Sequence, residues 1–263
     1  MDRIADTFAQ CRAEKRPAFI AYMCAGDPDE TTSLEICREL LRNGVDILEL
    51  GVPFSDPLAD GRTNQLAAQR ALESGMTQER SLDMVRTLRQ EFSQPIVFYT
   101  YYNLIHSAGI ESYVEQSHEA GLDGILTLDC PPEEAAPLVD GTRSGGLKNI
   151  FIVAPSTPEE RIPTIVNHAS GFLYYVSRLG VTGARETLSE GIQEAVERIR
   201  KHTDLPVAVG FGISRPEHIQ ELAAYVDGVV VGSALVTIIE NNRNTPGKLP
   251  ELVAHKVREL LQQ

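Results

Sequence analysis

The stretch VDILELGVPFSDPLADG, residues 45–61, joins a strand to a constrained acidic loop. Its first six residues alternate as a strand does, with Val45, Ile47 and Glu49 on one side and Asp46, Leu48 and Leu50 on the other. Pro53, Pro57 and Gly61 then punctuate a segment that holds Asp56 and Asp60. Carboxylates are thereby gathered at the C-terminal end of a strand, where α/β folds keep their chemistry.

Seven comparable stretches flank this one: AFIAYMC from Ala18, PIVFYTY from Pro95, GILTLD from Gly124, NIFIVA from Asn149, GFLYYVS from Gly171, LPVAVGF from Leu205 and DGVVVGS from Asp227. Eight such units with helical patterns between them are the count for an α/β fold of the (β/α)8 TIM barrel type. A doubly wound open sheet shows the same alternation and remains the rival, because alternation does not reveal closure.

In SLEICRELLRNG, Leu34, Cys37 and Leu41 share a face, and the run ends at Asn43-Gly44. EHIQELAAY follows a capping-box pattern, with Ser214 as N-cap and Glu217 three residues on. Residues 2–14 form an extra N-terminal amphipathic helix, with Ile4, Phe8 and Cys11 on the face expected to plug the barrel's bottom. PELVAHKVRELLQ completes the outer ring. Longer irregular stretches are expected only after the second and sixth strands. No break in composition divides the chain, so a single barrel domain is expected over 1–263.

Acidic residues outnumber basic ones by 37 to 24, for a formal charge of −13, and no Lys/Arg block interrupts them. That field repels nucleic acid, so an anionic ligand needs a local device such as backbone N–H groups. No apolar run is long enough to span a membrane, and MDRIADTF lacks the features of a secretion signal. Cys11, Cys24, Cys37 and Cys130 stand singly, as reduced thiols of a cytoplasmic protein do.

Glu49 follows Ile47 on the axis-facing side, so partial desolvation should raise its pKa into the range useful for proton exchange. The alternative is a solvent-facing Glu at a strand edge. Asp60, held in its loop, is suited to accept a ring N–H, whereas Asp56 could equally serve an Asx-turn. Glycines recur after the sixth, seventh and eighth strands, in GVTGA (180–184), GFGIS (210–214) and VGSA (231–234). Backbone N–H groups of Gly183, Gly212, Gly232 and Ser233 there suit a phosphate, unless these are simply three tight turns. No lysine falls at the C-terminal end of a strand, and the six histidines make no zinc set, which leaves acid/base chemistry without metal or imine.

The sequence resembles the tryptophan synthase alpha subunit family along nearly its whole length. The resemblance is carried by LELGVPFSDPLADG (48–61), AGDP (25–28), YYN (101–103), SRLGVTGAR (177–185), VGFGIS (209–214) and VGSA (231–234). It implies a lyase that cleaves indole-3-glycerol phosphate to indole and glyceraldehyde 3-phosphate. Glu49 would be the general acid/base, Asp60 the partner of the indole N–H, and Tyr174 the aromatic beside the reacting groups. Tyr22, Tyr99 and Leu126 would line the indole pocket. Thr182 would belong to the loop after the sixth strand, and Gly183, Phe211, Gly212, Gly232 and Ser233 to the phosphate site.

The resemblance also implies an α2β2 heterotetramer with allosteric coupling, in which a beta subunit holds pyridoxal phosphate and receives indole through a tunnel; this chain would bind no cofactor itself. Three positions depart from the family pattern: Arg62 stands where Pro is expected, Cys24 where Thr is, and Tyr99 where a smaller aliphatic residue is. A regulatory module without lyase activity and a stand-alone lyase that releases indole are the competing functions.

Overall fold

The strand AFIAYMC pairs on one edge with the strand of the opening stretch and on the other with the last strand, so the sheet closes and the open-sheet rival is excluded. In the computed structural model, which describes residues 2–176, 188–210 and 212–262, the strands are β1 (Ala18–Cys24), β2 (Ile47–Gly51), β3 (Ile96–Thr100), β4 (Gly124–Thr127), β5 (Lys148–Val153), β6 (Leu173–Val176), β7 (Val207–Gly210) and β8 (Gly228–Val231). All eight pairings are parallel, and the order around the barrel is the order in the chain. The helices are α1 (Arg3–Ala13), α2 (Glu30–Arg42), α3 (Arg62–Glu73), α4 (Gln78–Arg89), α5 (Tyr102–Ala108), α6 (Ile110–Ala120), α7 (Ala136–Ser144), α8 (Ile162–His168), α9 (Leu188–Arg200), α10 (Pro216–Leu222), α11 (Ser233–Asn242) and α12 (Leu249–Leu261).

Alternation sorts the strand residues into two cores. Ile20, Ile47, Val97, Leu126, Ile150 and Val230 fill the interior, and Ile4, Phe8 and Cys11 of α1 join them from below as the plug. Leu48 and Leu50 point outward into the larger core between strands and helices. Val45 also packs outward, contrary to the alternation expected from Val45 onward, because the strand begins only at Ile47. In α2, Cys37 and Leu41 are buried and Leu34 packs at the margin, and the helix ends at Asn43. The four cysteines are free and buried.

Two expectations fail locally. Ser214 does not cap α10: Arg215 holds the N-cap position, no side chain accepts there, and Pro216 opens the helix with its preset φ. An irregular stretch, 128–135, also follows β4, because Pro131 and Pro132 delay the start of α7. The stretch after β2 is irregular over 52–61 as expected, whereas the one after β6 lies outside the described residues.

The N-terminal mouth is closed by one device used four times. The residue preceding or opening each odd-strand ladder exchanges bonds with a residue just before the next even strand: Phe19 with Asp46, Ile96 with Asp123, Asn149 with Ser170, and Val207 with Asp227. In each pair a backbone N–H donates to the odd-strand carbonyl at 2.8–3.0 Å, and a side-chain oxygen accepts the odd-strand N–H at 2.7–3.0 Å. A backbone donor at the foot of a strand would otherwise be left unpaired. The three aspartates also hold arginines: Asp46 binds Arg16, Asp123 binds Arg3 and Arg89, and Asp227 binds Arg12 and Arg200. Arg3 and Arg12 lie on α1, so Asp123 and Asp227 also anchor the plug.

Candidate active site

At the other mouth a cavity of about 350 Å³ opens among the strand ends. Tyr22 of β1, Glu49 of β2, Tyr99 of β3, Tyr174 of β6, Gly210 of β7 and Val230 of β8 line its walls. Gly61, Arg62, Thr63 and Asn64 at the start of α3 face it, as do Gly212, Gly232 and Ser233. Tyr22 and Glu49 are register partners across β1 and β2, and the Tyr22 and Tyr99 rings meet edge to face at 4.9 Å.

The rings fit because strand-end glycines make room. A Cβ on Gly210 would lie 2.4 Å from the Tyr174 hydroxyl, and one on Gly51 would lie 2.7 Å from that of Tyr22. Burial first, and nearby acidic groups second, push the phenols of Tyr22, Tyr99 and Tyr174 well up, so they remain neutral donors.

Glu49 is 1% exposed, and neither carboxyl oxygen has a hydrogen-bond partner among the described residues. Burial, with a smaller contribution from the charge of Asp60, raises its pKa from 4.5 to about 8. The side chain therefore carries its proton at neutral pH, in a cavity where a ligand can take it. This disposes of the solvent-facing alternative.

Asp60 is surrounded by donors. Its Oδ1 accepts from the Tyr99 hydroxyl at 2.7 Å and from Asn64 Nδ2 at 3.3 Å, and its Oδ2 accepts from the Tyr101 hydroxyl at 2.7 Å. The Tyr101 oxygen in turn accepts the Ala59 N–H at 3.1 Å, which fixes the end of the loop against β3. Asp60 thus adjoins the cavity through Tyr99 and Asn64, both of which line it. Asp56 is exposed; its carboxylate accepts from the Ser55 hydroxyl, while the Leu58 N–H goes to its backbone carbonyl, so the turn is not an Asx-turn.

Ser233 opens the ten-residue α11 with Gly232 at the N-cap, and the first N–H groups of such a helix have no intrahelical partner. Helices α3 and α11 pack together, so two helix N-termini flank the cavity, a setting that favours an anion. Arg70 ties these parts together: it grips the buried Asp27 of the AGDP segment with two bonds, at 2.7 and 2.8 Å, and pairs with Glu240 of α11.

The sequence pattern of the family described as "Tryptophan synthase alpha chain" matches residues 8–262. The chain belongs to that family. A tryptophan synthase alpha chain from Opitutus terrae is 55% identical over 261 residues, covering 99% of this chain and 98% of the relative. One from Methanoregula boonei is 48% identical over 252 residues, covering 95% and 94%. A chain of the tryptophan synthase α2β2 complex from Pyrococcus furiosus superimposes with a TM-score of 0.87 at 39% identity, covering 94% of this chain and 98% of that one.

Of the residues singled out from the sequence, the fold brings Glu49, Tyr22, Tyr99, Tyr174, Gly212, Gly232 and Ser233 to one cavity of this tryptophan synthase alpha chain fold. Leu126 is fully buried in the interior layer, against which Tyr99 and Tyr174 pack, and does not line the cavity. Thr182, Gly183 and Phe211 lie outside the described residues. Tyr101 and Asn64 were missed. Tyr101 had a readable signal, since it lies two residues from Tyr99 in an extended run; Asn64 had none. Arg62 is exposed, lines the cavity and makes no ion pair among the described residues.

Proposed function

We propose that the chain is a carbon–carbon lyase that cleaves indole-3-glycerol phosphate to indole and glyceraldehyde 3-phosphate, as the alpha subunit of an α2β2 tryptophan synthase in tryptophan biosynthesis. The observation that carries this reading is Glu49: buried, unpartnered among the described residues, its pKa raised by burial to about 8, and facing the cavity. Glu49 delivers its proton to indole C3, and the ring becomes a cationic electron sink. The resulting carboxylate takes the proton of the glycerol hydroxyl as that carbon becomes an aldehyde. The electrons of the broken carbon–carbon bond restore the indole, and Glu49 ends protonated. Asp60 accepts the ring N–H and steadies the positive charge. The orphan N–H groups at Ser233, with Gly212 and Gly232, hold the phosphate.

No cofactor is assigned to this chain; pyridoxal phosphate belongs to the beta subunit, which receives the indole. Leu58, 90% exposed, projects from the loop that ends in Asp60, so a partner seated on that loop would act on the segment that positions the site. Four free buried thiols suit a cytoplasmic setting, and no helix among the described residues is long and apolar enough to cross a membrane.

Indole release from indole-3-glycerol phosphate by wild type and Glu49→Gln, each with and without beta subunit, tests the reading. Activity that needs Glu49 and rises with the partner is expected. Absence of indole under both conditions overturns it, and unchanged activation of the beta subunit by Glu49→Gln would then favour a regulatory module. High turnover that the partner does not alter would favour a stand-alone lyase.

A further inference from the structure

A carboxylate offers about four acceptor sites, two on each oxygen. Around Asp60 three are filled: both sites of Oδ1, by Tyr99 and Asn64, and one of Oδ2, by Tyr101. Among the described residues, a single acceptor site on Oδ2 is left. Asn64 and Tyr101 stand close to Asp60 in the chain or on its loop's docking edge, and Tyr101 is also bonded to Ala59. Tyr99 is different. It is the donor that belongs to a barrel strand, its ring is braced edge to face by Tyr22, and it also lines the cavity. An aliphatic residue, as the family pattern expects here, could not donate.

We infer that Tyr99 is a positioning residue: its hydroxyl occupies Asp60 Oδ1 and fixes the carboxylate to the rigid barrel, leaving the open site of Oδ2 for the N–H of an indole ring. The inference rests on the proposed lyase reading for its role in turnover, but not for its effect on ring binding. A loop carboxylate held by a strand needs no reorientation when positive charge develops on the ring, which is where a fixed electrostatic partner acts most strongly. The effect therefore falls on kcat rather than on KM.

Tyr99→Phe removes the hydroxyl and keeps the ring. Expected is a loss of about tenfold in kcat, the scale of one hydrogen bond to a charged group, with KM within about twofold. The same substitution in an Asp60→Asn background should change kcat by less than about twofold, because its route of action is already gone. An unchanged or raised kcat for Tyr99→Phe overturns the inference; so does an equal loss in both backgrounds, which would make Tyr99 merely structural. A second readout does not depend on catalysis. Wild type should bind indole in preference to 1-methylindole, which lacks the N–H, and Tyr99→Phe should lose that preference. If wild type shows no lyase activity, the functional reading falls, and the two binding ratios still decide the role of Tyr99: equal preference in both proteins overturns it.

Discussion

Asp46, Asp123 and Asp227 at the N-terminal mouth each accept a backbone N–H and at least one arginine, whereas Glu49 at the C-terminal mouth is buried with both oxygens unpaired among the described residues. The same chemical group is used in opposite ways at the two ends of one barrel. At the base the carboxylates are committed to internal donors and seal the feet of the strands. At the top the carboxyl is denied partners, which costs folding free energy and leaves a proton available. Stability and reactivity are thus assigned to different ends of the same strands.

Replacing Glu49 with Gln should separate the two ends most sharply. Lyase activity is expected to fall by about 10²–10⁴, the scale of a general acid/base, while thermal stability at neutral pH stays the same or rises, since a neutral amide replaces a group that folding desolvates. A loss of stability comparable to the loss of activity would show that Glu49 has a structural duty and would break the comparison.

The reverse experiment acts on the base. Asp123 is nearly buried and holds Arg3, Arg89 and the Ile96 N–H. Asp123→Ala should destabilise the fold by about 3 kcal/mol in denaturant unfolding, because it strands donors and charges at a buried site. At temperatures where the variant stays folded, kcat should remain within about twofold of wild type.

A pH series sharpens the contrast further. Glu49 has a folded pKa of about 8, above its ordinary 4.5, so the folded state holds this proton where the unfolded state has lost it. Its cost to stability is smallest below about pH 4.5 and grows as pH rises to about 8. Wild type should therefore lose melting temperature relative to Glu49→Gln between pH 5 and pH 9, read by calorimetry on both proteins. A constant difference would mean that Glu49 is ionised in the fold.

The smallest effect is expected at Arg62, a cation on the cavity rim without an ion pair among the described residues. In a chain of formal charge −13, it offers local attraction for a phosphate ester at the mouth. Arg62→Gln should raise KM by about threefold at low ionic strength, leave kcat alone and flatten the salt dependence of kcat/KM.

Much of this arrangement was legible in the chain because strand alternation carries side-chain direction. Once Ile47 is an interior residue, Glu49 must face the axis, and the cavity follows. The place of Gly212, Gly232 and Ser233 at the cavity was legible because glycines recur at successive strand ends. The donors around Asp60 were harder to read: they come from β3, from the residue just after it and from the first turn of α3, and nothing in their local patterns says which loop they will meet. The failed cap at Ser214 has a different lesson, since Pro216 fixed the helix start more firmly than a hydroxyl could. The basal seal left a trace that only the fold makes meaningful: an apolar residue followed by Asp recurs at Val45-Asp46, Leu122-Asp123 and Val226-Asp227.

Those seals join β1 to β2, β3 to β4, β5 to β6 and β7 to β8. The repeating unit of the wall is therefore a bolted pair of strands rather than a single one, and the seams between pairs are where the polypeptide can be divided with least damage. A nick within 145–147, between α7 and β5, leaves two bolts whole in each fragment, so the halves can fold as finished pairs before they meet. A nick at 43–44 would instead carry Phe19 away from Asp46 and leave one pair with its bolt drawn.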